Sequence, residues 1–279
     1  MVIFSAFADE IDPDLTIQMD VCEANGVKCI DIRGVDGKNV STFSVEQARE
    51  YRKRLDDRGF QVPCIGSPLG KIKMDDDFQP HLDMTRHCCE MAHVFGTKRI
   101  RMFSFYPSAG KTIQDERDGV MDRLNQMLEI AEANGCEFFH ENEKAIYGAK
   151  PDGVKDIINT LGHDRIKGIF DPANYVEEKV APYDDGWTQG LAELTDYFHI
   201  KDKQPGASAC CPAGKGAGQY EQIFADLKAR DWEGYMTLEP HLAKAEQFKG
   251  YTGPELFATA VNALKQQCEQ AGIEYKKYQ

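Results

Sequence analysis

Short apolar runs rich in β-branched and aromatic residues alternate, along the whole chain, with longer stretches whose apolar positions recur at helical spacing. The runs read "VIFSAFA", "KCIDIRG", "QVPCIG", "RIRMFSFY", "EFFHENE", "IKGIFDPAN", "YFHIKD" and "YMTLEP", and each predicts a strand. Between them "SVEQAREYRKRLDDRG", "HLDMTRHCCEMAHVFG" and "VMDRLNQMLEIAEANG" predict helices, several closing on a glycine just before the next strand. Strands followed by helices imply parallel pairing through right-handed crossovers, and eight such units in 279 residues predict a closed (β/α)8 TIM barrel. An open doubly wound sheet is the alternative. Against it, no G-x-G-x-x-G opens the first helix, and polar residues recur at many strand ends rather than at one crevice.

Composition narrows the picture. With 42% hydrophobic residues and no linker or low-complexity tract, one domain spanning residues 1–279 is expected. The net charge of −13 disfavours nucleic acid and anionic membranes as partners. The start, "MVIFSAFADEIDPD", lacks a basic segment and meets acids by Asp9, so neither a signal peptide nor a membrane span is predicted. Nine cysteines without a CxxC pair read as reduced thiols in a cytoplasmic protein, not as a zinc finger.

Chemistry gathers at the late strand ends. "EFFHENEKAIYG" closes an apolar run on His-Glu-Asn-Glu, although buried carboxylates are costly unless paired. In a barrel, strand ends build the active site. Glu141, Asp171, His199 and Glu239 follow one another at separations of 30, 28 and 40 residues, about one β/α unit each, which makes them neighbours around one rim. Three carboxylates and one imidazole suit one divalent ion, Mn2+, Mg2+ or Co2+, with Zn2+ admissible. Taken singly, each has a plainer reading: Asp171 before Pro172 suits a helix cap, and a lone histidine is more often packing than ligand.

These motifs, "ENE", "FDPAN", "FHIKD", "GKGAG" and "TLEPH" on successive late units, with "FADEI" and "DIRGVDGKNV" earlier, resemble the xylose isomerase-like TIM-barrel superfamily of sugar isomerases and epimerases. The resemblance spans essentially the whole chain. It implies that Glu141, Asp171, His199 and Glu239 bind a single divalent metal, and that Glu141 and Glu239 move a proton on opposite faces of a carbohydrate through an enediolate. A homo-oligomer is compatible with it. Two departures stand out: Asn174 occupies the place of a common histidine, and Glu143 ends a motif usually written "ENH". A metal-dependent lyase, dehydratase or hydrolase on a keto-sugar or inositol derivative is the alternative on the same site. A non-catalytic sugar-binding protein ranks below these. So does an abasic-site endonuclease, whose additional histidines are absent from "DIRGVDG", "CIGSPLG" and "DPAN".

Supporting residues follow from strand parity. Lys201 shares the face of His199 and is expected either to assist catalysis at a substrate oxygen or to pair with a rim acid. Glu143, Asn174 and His241 are expected near substrate. Arg33, Arg101, Ser67 and Glu10 lie at earlier strand ends, Ser67 expected near substrate and the two arginines either binding substrate oxygens or balancing the acids. "GKGAGQY" is not a Walker A, since Gly216 follows Lys215, and reads as a flexible lid rather than a phosphate cradle.

Overall fold

In the computed structural model, which describes residues 1–242 and 252–278, the apolar runs close into a ring of parallel strands. The strands are β1 (Val2–Ala6), β2 (Gly34–Val35), β3 (Lys38–Asn39), β4 (Arg99–Met102), β5 (Glu137–Glu141), β6 (Ile166–Phe170), β7 (Thr195–Ile200) and β8 (Gly234–Leu238). Six of them form a curled sheet in the order β1-β8-β7-β6-β5-β4, parallel at every pairing. Backbone hydrogen bonds from two further segments bridge the gap between β1 and β4. Asp31 N donates to Ala6 O at 3.0 Å, Ile32 N to Cys64 O at 3.1 Å, and Ile65 N to Arg99 O at 2.9 Å.

Those two segments are the expected second and third strands, and they differ from the expectation. Only isolated bridges form, Cys29 with Gln61, Ile32 with Ile65 and Ile65 with Ile100. Pro63 has no N–H to give a ladder. Asp31 points into the barrel, where its carboxylate accepts from Ser5 Oγ at 2.8 Å, Tyr197 OH at 2.7 Å and Thr237 Oγ1 at 2.8 Å. Burial raises the Asp31 pKa, and those hydroxyls oppose the shift. Just beyond, β2 and β3 pair antiparallel as a small hairpin at the rim.

The helices α1 (Leu15–Ala24), α2 (Val45–Asp57), α3 (Gln79–Phe95), α4 (Arg117–Ala133), α5 (Pro151–Leu161), α6 (Pro172–Glu177), α7 (Tyr220–Ala229) and α8 (Pro254–Ala271) surround the ring. Their ends follow local chemistry. Ser44 and Gln47 make a reciprocal capping box at the start of α2, and Gly96 ends α3 at φ 73°, a left-handed turn natural to glycine. The main apolar core lies between ring and helices. Inside the barrel, Cys64, Phe139, Ile169 and Tyr197 fill the floor, so the carboxyl ends of the strands form the open face. Among the described residues no helix is long and apolar enough to cross a membrane.

Candidate active site

The final residues of β5, β6, β7 and β8 and those just after them deliver Glu141, Asp171, His199 and Glu239 to one point. All four are buried, and their ligand atoms lie within 4.8 Å of one another. Glu141 Oε1 stands 3.0 Å and Glu239 Oε2 3.5 Å from His199 Nδ1, so the two carboxylates flank the imidazole. Asp171 caps α6, with Oδ1 accepting from Asn174 N at 3.0 Å, and turns Oδ2 inward. The capping role and the cluster role therefore coexist in one side chain. Asp171 Oδ2 and His199 Nδ1 make no directed hydrogen bond within the protein, only ion-pair contacts. Buried, inward-facing donor atoms of this kind, three oxygen groups and one nitrogen, fit a divalent cation.

Three buried or half-buried cations hold the acids together. Arg101 Nη1 lies 3.1 Å from Glu141 Oε2, and Arg33 Nη1 lies 2.8 Å from Glu239 Oε1. The Lys201 ammonium sits 2.9 Å from Asp171 Oδ2 and 3.1 Å from Glu239 Oε2. Burial pushes the Asp171 carboxyl up to about 7, since Lys201 only partly offsets desolvation and the neighbouring Glu141 and Glu239. Burial acts the same way on Glu141, but His199 and Arg101 outweigh it and hold the group at about 2. His199 is raised against burial to about 9 by Glu141 and Glu239. Glu239 is lowered well below the usual carboxylate range, burial being outweighed by Lys201, His199, His241 and Arg33.

Around this centre the other expected residues take distinct places. His241 Nε2 lies 2.8 Å from Glu10 Oε1 and 3.5 Å from Glu239 Oε1, and its pKa rises against burial to about 10, chiefly through Glu10. Glu10 is fully buried and also accepts from His241 N at 3.0 Å and Thr252 Oγ1 at 2.7 Å. Asn174 Nδ2 donates to Asn142 O at 2.8 Å and reaches Glu141 Oε1 at 3.4 Å. Glu143 reaches the rim, where it pairs with Lys71 at 3.1 Å and accepts from the backbone N–H of Lys144 at 3.0 Å. Ser67 departs from its expected place near substrate. Its hydroxyl is turned into the wall, donating to Arg101 O at 2.5 Å and accepting from Leu69 N at 3.3 Å. Arg33 and Arg101 balance acids in this structure, and both also line a cleft of about 480 Å³ with Glu239 and His241.

Three contributors escaped the sequence reading. Asp9 grips Arg33 Nε at 2.8 Å. Asn142 exchanges hydrogen bonds with the Asp171 backbone, at 2.9 Å to N and 3.0 Å to O, and so braces two strand ends. Its position inside "ENE" was the available signal. Asp202, next to Lys201 in "HIKD", was the third. Its carboxylate accepts from the backbone of Gly214, Gly216 and Gly218, so the "GKGAG" loop is tied down rather than hinged as the expected lid.

Comparison with known proteins agrees with this architecture. A family model described as xylose isomerase-like TIM barrel matches residues 19–267. A 3-dehydroshikimate dehydratase of Bacillus anthracis is 20% identical over 231 residues, covering 77% of this chain and 81% of that protein. The crystal structure of the probable 3-DHS dehydratase of Bacillus anthracis superposes with a TM-score of 0.74 at 18% identity, over 94% of this chain and 98% of that one. An L-ribulose 3-epimerase gives 0.71 at 16%, over 98% and 95%. An IOLI protein with a bound zinc atom gives 0.73 at 15%, over 97% and 98%. At these identities the solved structures establish the fold alone. The match over most of its length places the chain in the xylose isomerase-like TIM-barrel family.

Proposed function

We propose that this chain is a divalent-metal-dependent enzyme that moves a proton beside the carbonyl of a small carbohydrate or related cyclic polyol, giving isomerisation or epimerisation. The observation that carries the reading is the convergence of Glu141, Asp171, His199 and Glu239 within 4.8 Å at the open end of the barrel. These four would hold the ion, and a bound divalent cation would acidify the C–H next to a chelated carbonyl as a Lewis acid.

The proton traffic falls to the protein. Glu141 and Glu239 flank His199 from two strand ends, and in this reading they act on opposite faces of the substrate. A carboxylate held at about 2, as Glu141 is, is a weak base, so it needs a substrate proton made unusually acidic. Lys201 is buried between Asp171 and Glu239 and would stabilise an oxyanion in this reading, and Arg33 and Arg101 bring donors to the cleft wall. Glu143 and His241 stand at the mouth, where they would meet hydroxyl groups.

Elimination of water is the second reading, favoured by the sequence relative that is a 3-dehydroshikimate dehydratase. In that reading the same carbanion expels a neighbouring hydroxyl and Lys201 supplies the proton to the leaving oxygen. The test is proton NMR in D2O of Mg2+- or Mn2+-loaded protein with ketoses, keto-polyols and cyclic keto-acids. Metal-dependent deuterium entry next to the carbonyl with the carbon skeleton intact supports isomerisation or epimerisation, and Glu239→Gln should slow it at least about 10³-fold. Appearance of an unsaturated product would replace it with elimination, and unaltered turnover in Glu239→Gln would remove that residue from catalysis.

A further inference from the structure

We propose that Asp202 is a positioning residue: its carboxylate knots the loop after β7 around four backbone N–H groups and thereby holds the Lys201 ammonium between Asp171 and Glu239. The link to catalysis rests on the function proposed above; the knot itself does not.

Each oxygen of Asp202 accepts twice. Oδ1 takes the N–H of Lys203 at 2.7 Å and of Gly218 at 2.8 Å, and Oδ2 takes those of Gly214 at 3.0 Å and Gly216 at 2.8 Å. The residue is completely buried and no cationic side chain pairs with it among the described residues, so these amides carry its charge. A ring of backbone N–H groups is an anion nest, filled here by an anion of the same chain.

The alternating glycines explain themselves by close approach. A Cβ at Gly216 would lie 2.3 Å from Asp202 Oδ1 and one at Gly218 2.7 Å from it, so a larger residue at either place would push the amide off the carboxylate.

The knot is directly attached to the active-site lysine. Asp202 and Cys211 exchange both backbone hydrogen bonds, at 3.2 and 2.8 Å, and Ala217 N donates to Lys203 O at 2.8 Å. On the other side, Lys201 O accepts from the hydroxyl of Tyr220, the first residue of α7, at 2.7 Å. The backbone of Lys201 is thus held from both directions, and its long flexible side chain is only 5% exposed. Displacing such a group by about 1 Å is enough to cost roughly 10²-fold in rate.

The experiment reads Lys201 without metal or substrate. Metal-free protein is treated with an amine-acetylating reagent, and labelling rates are followed lysine by lysine by mass spectrometry, with the exposed Lys53 and Lys228 as references. In the parent protein Lys201 is protected. Asp202→Asn keeps the shape but, in either amide orientation, sets its NH2 against two of the four backbone N–H groups, and should raise Lys201 labelling at least about tenfold with the references unchanged. Asp202→Gly should do the same, and sodium formate, a carboxylate that fits the vacated nest, should restore protection. Continued protection in both variants would overturn the proposal. So would unfolding of Asp202→Asn, or labelling that rises at every lysine, because either outcome makes Asp202 a general stability residue. With a substrate identified by deuterium exchange, Asp202→Asn should lower kcat with KM little changed, and formate should recover kcat in Asp202→Gly. A freed Lys201 with unchanged kcat would overturn the catalytic link, whereas a freed Lys201 with no substrate that exchanges would count against the proposed chemistry and leave the knot standing.

Discussion

Replacing Arg101 by methionine tests how the acidic centre is balanced. The guanidinium is 6% exposed, lies 3.1 Å from Glu141 Oε2, and donates to the carbonyls of Ser67 at 3.3 Å and Gly66 at 3.2 Å. It also packs over the rings of Phe7 and Phe103, at 4.7 and 5.0 Å, which the methionine chain can partly fill. Removal leaves Glu141 buried with His199 as its nearest remaining cation and strands two buried carbonyls. Breaking a buried ion pair on one side costs about 3–5 kcal/mol. In a chain of this size that is a drop in melting temperature of at least about 5 °C. A divalent ion at the cluster would supply positive charge to the same carboxylate, so the deficit should shrink in saturating Mn2+. The assay is thermal or urea unfolding of parent and Arg101→Met in EDTA and in Mn2+, with circular dichroism confirming the folded baseline. A deficit below about 1 kcal/mol, or one that metal leaves unchanged, would refute the view that Arg101 balances Glu141 and that metal shares that carboxylate.

The remaining predictions are simpler. Mn2+ at a hundredfold its Kd should stabilise the parent protein by about 2.7 kcal/mol, and His199→Gln should keep less than half of that gain; equal gains in calorimetry would take His199 out of the ligand set. A second concerns His81, whose Nε2 accepts the Gly70 N–H at 2.7 Å and must therefore be neutral. Burial, aided by Arg123, lowers its pKa from 6.5 to about 4. The unfolded chain takes up the proton first as pH falls, so this stability is present above pH 6.5 and lost on the way to pH 4. The linkage amounts to roughly 2–3 kcal/mol at pH 4.5 and almost nothing at pH 7.5. Urea unfolding of His81→Gln should show a shallower loss between those two pH values, and an identical loss would refute the assignment.

Much of the fold was legible because it is specified locally. The runs that became β1 and β4 to β8 carry their own propensity and are bounded by glycines and helix caps, and the ring follows from their parallel repetition. The second and third segments read as strands by the same criteria, yet form only isolated bridges. Pro63 was visible as a warning. That Asp31 would turn inward to meet Ser5, Tyr197 and Thr237 was not, because those partners come from three other strands.

The three clustered acids and the imidazole were legible for a related reason: each stands at the end of its own strand, and barrel geometry brings strand ends together whatever the rest of the chain does. Which cation meets which acid belongs to the tertiary structure alone. Arg33 and Glu239 are 206 residues apart and touch because the segment leading to Arg33 and β8 both flank β1 in the closed ring. Ser67 turned into the wall, and "GKGAG" closed on Asp202, because buried polar groups take whichever partner the fold brings within hydrogen-bond distance. The sequence by itself determined where the strands end and therefore which acids could meet; ring closure decided their partners, because hydrogen bonds and charge pairs act over a few ångströms in space regardless of separation along the chain.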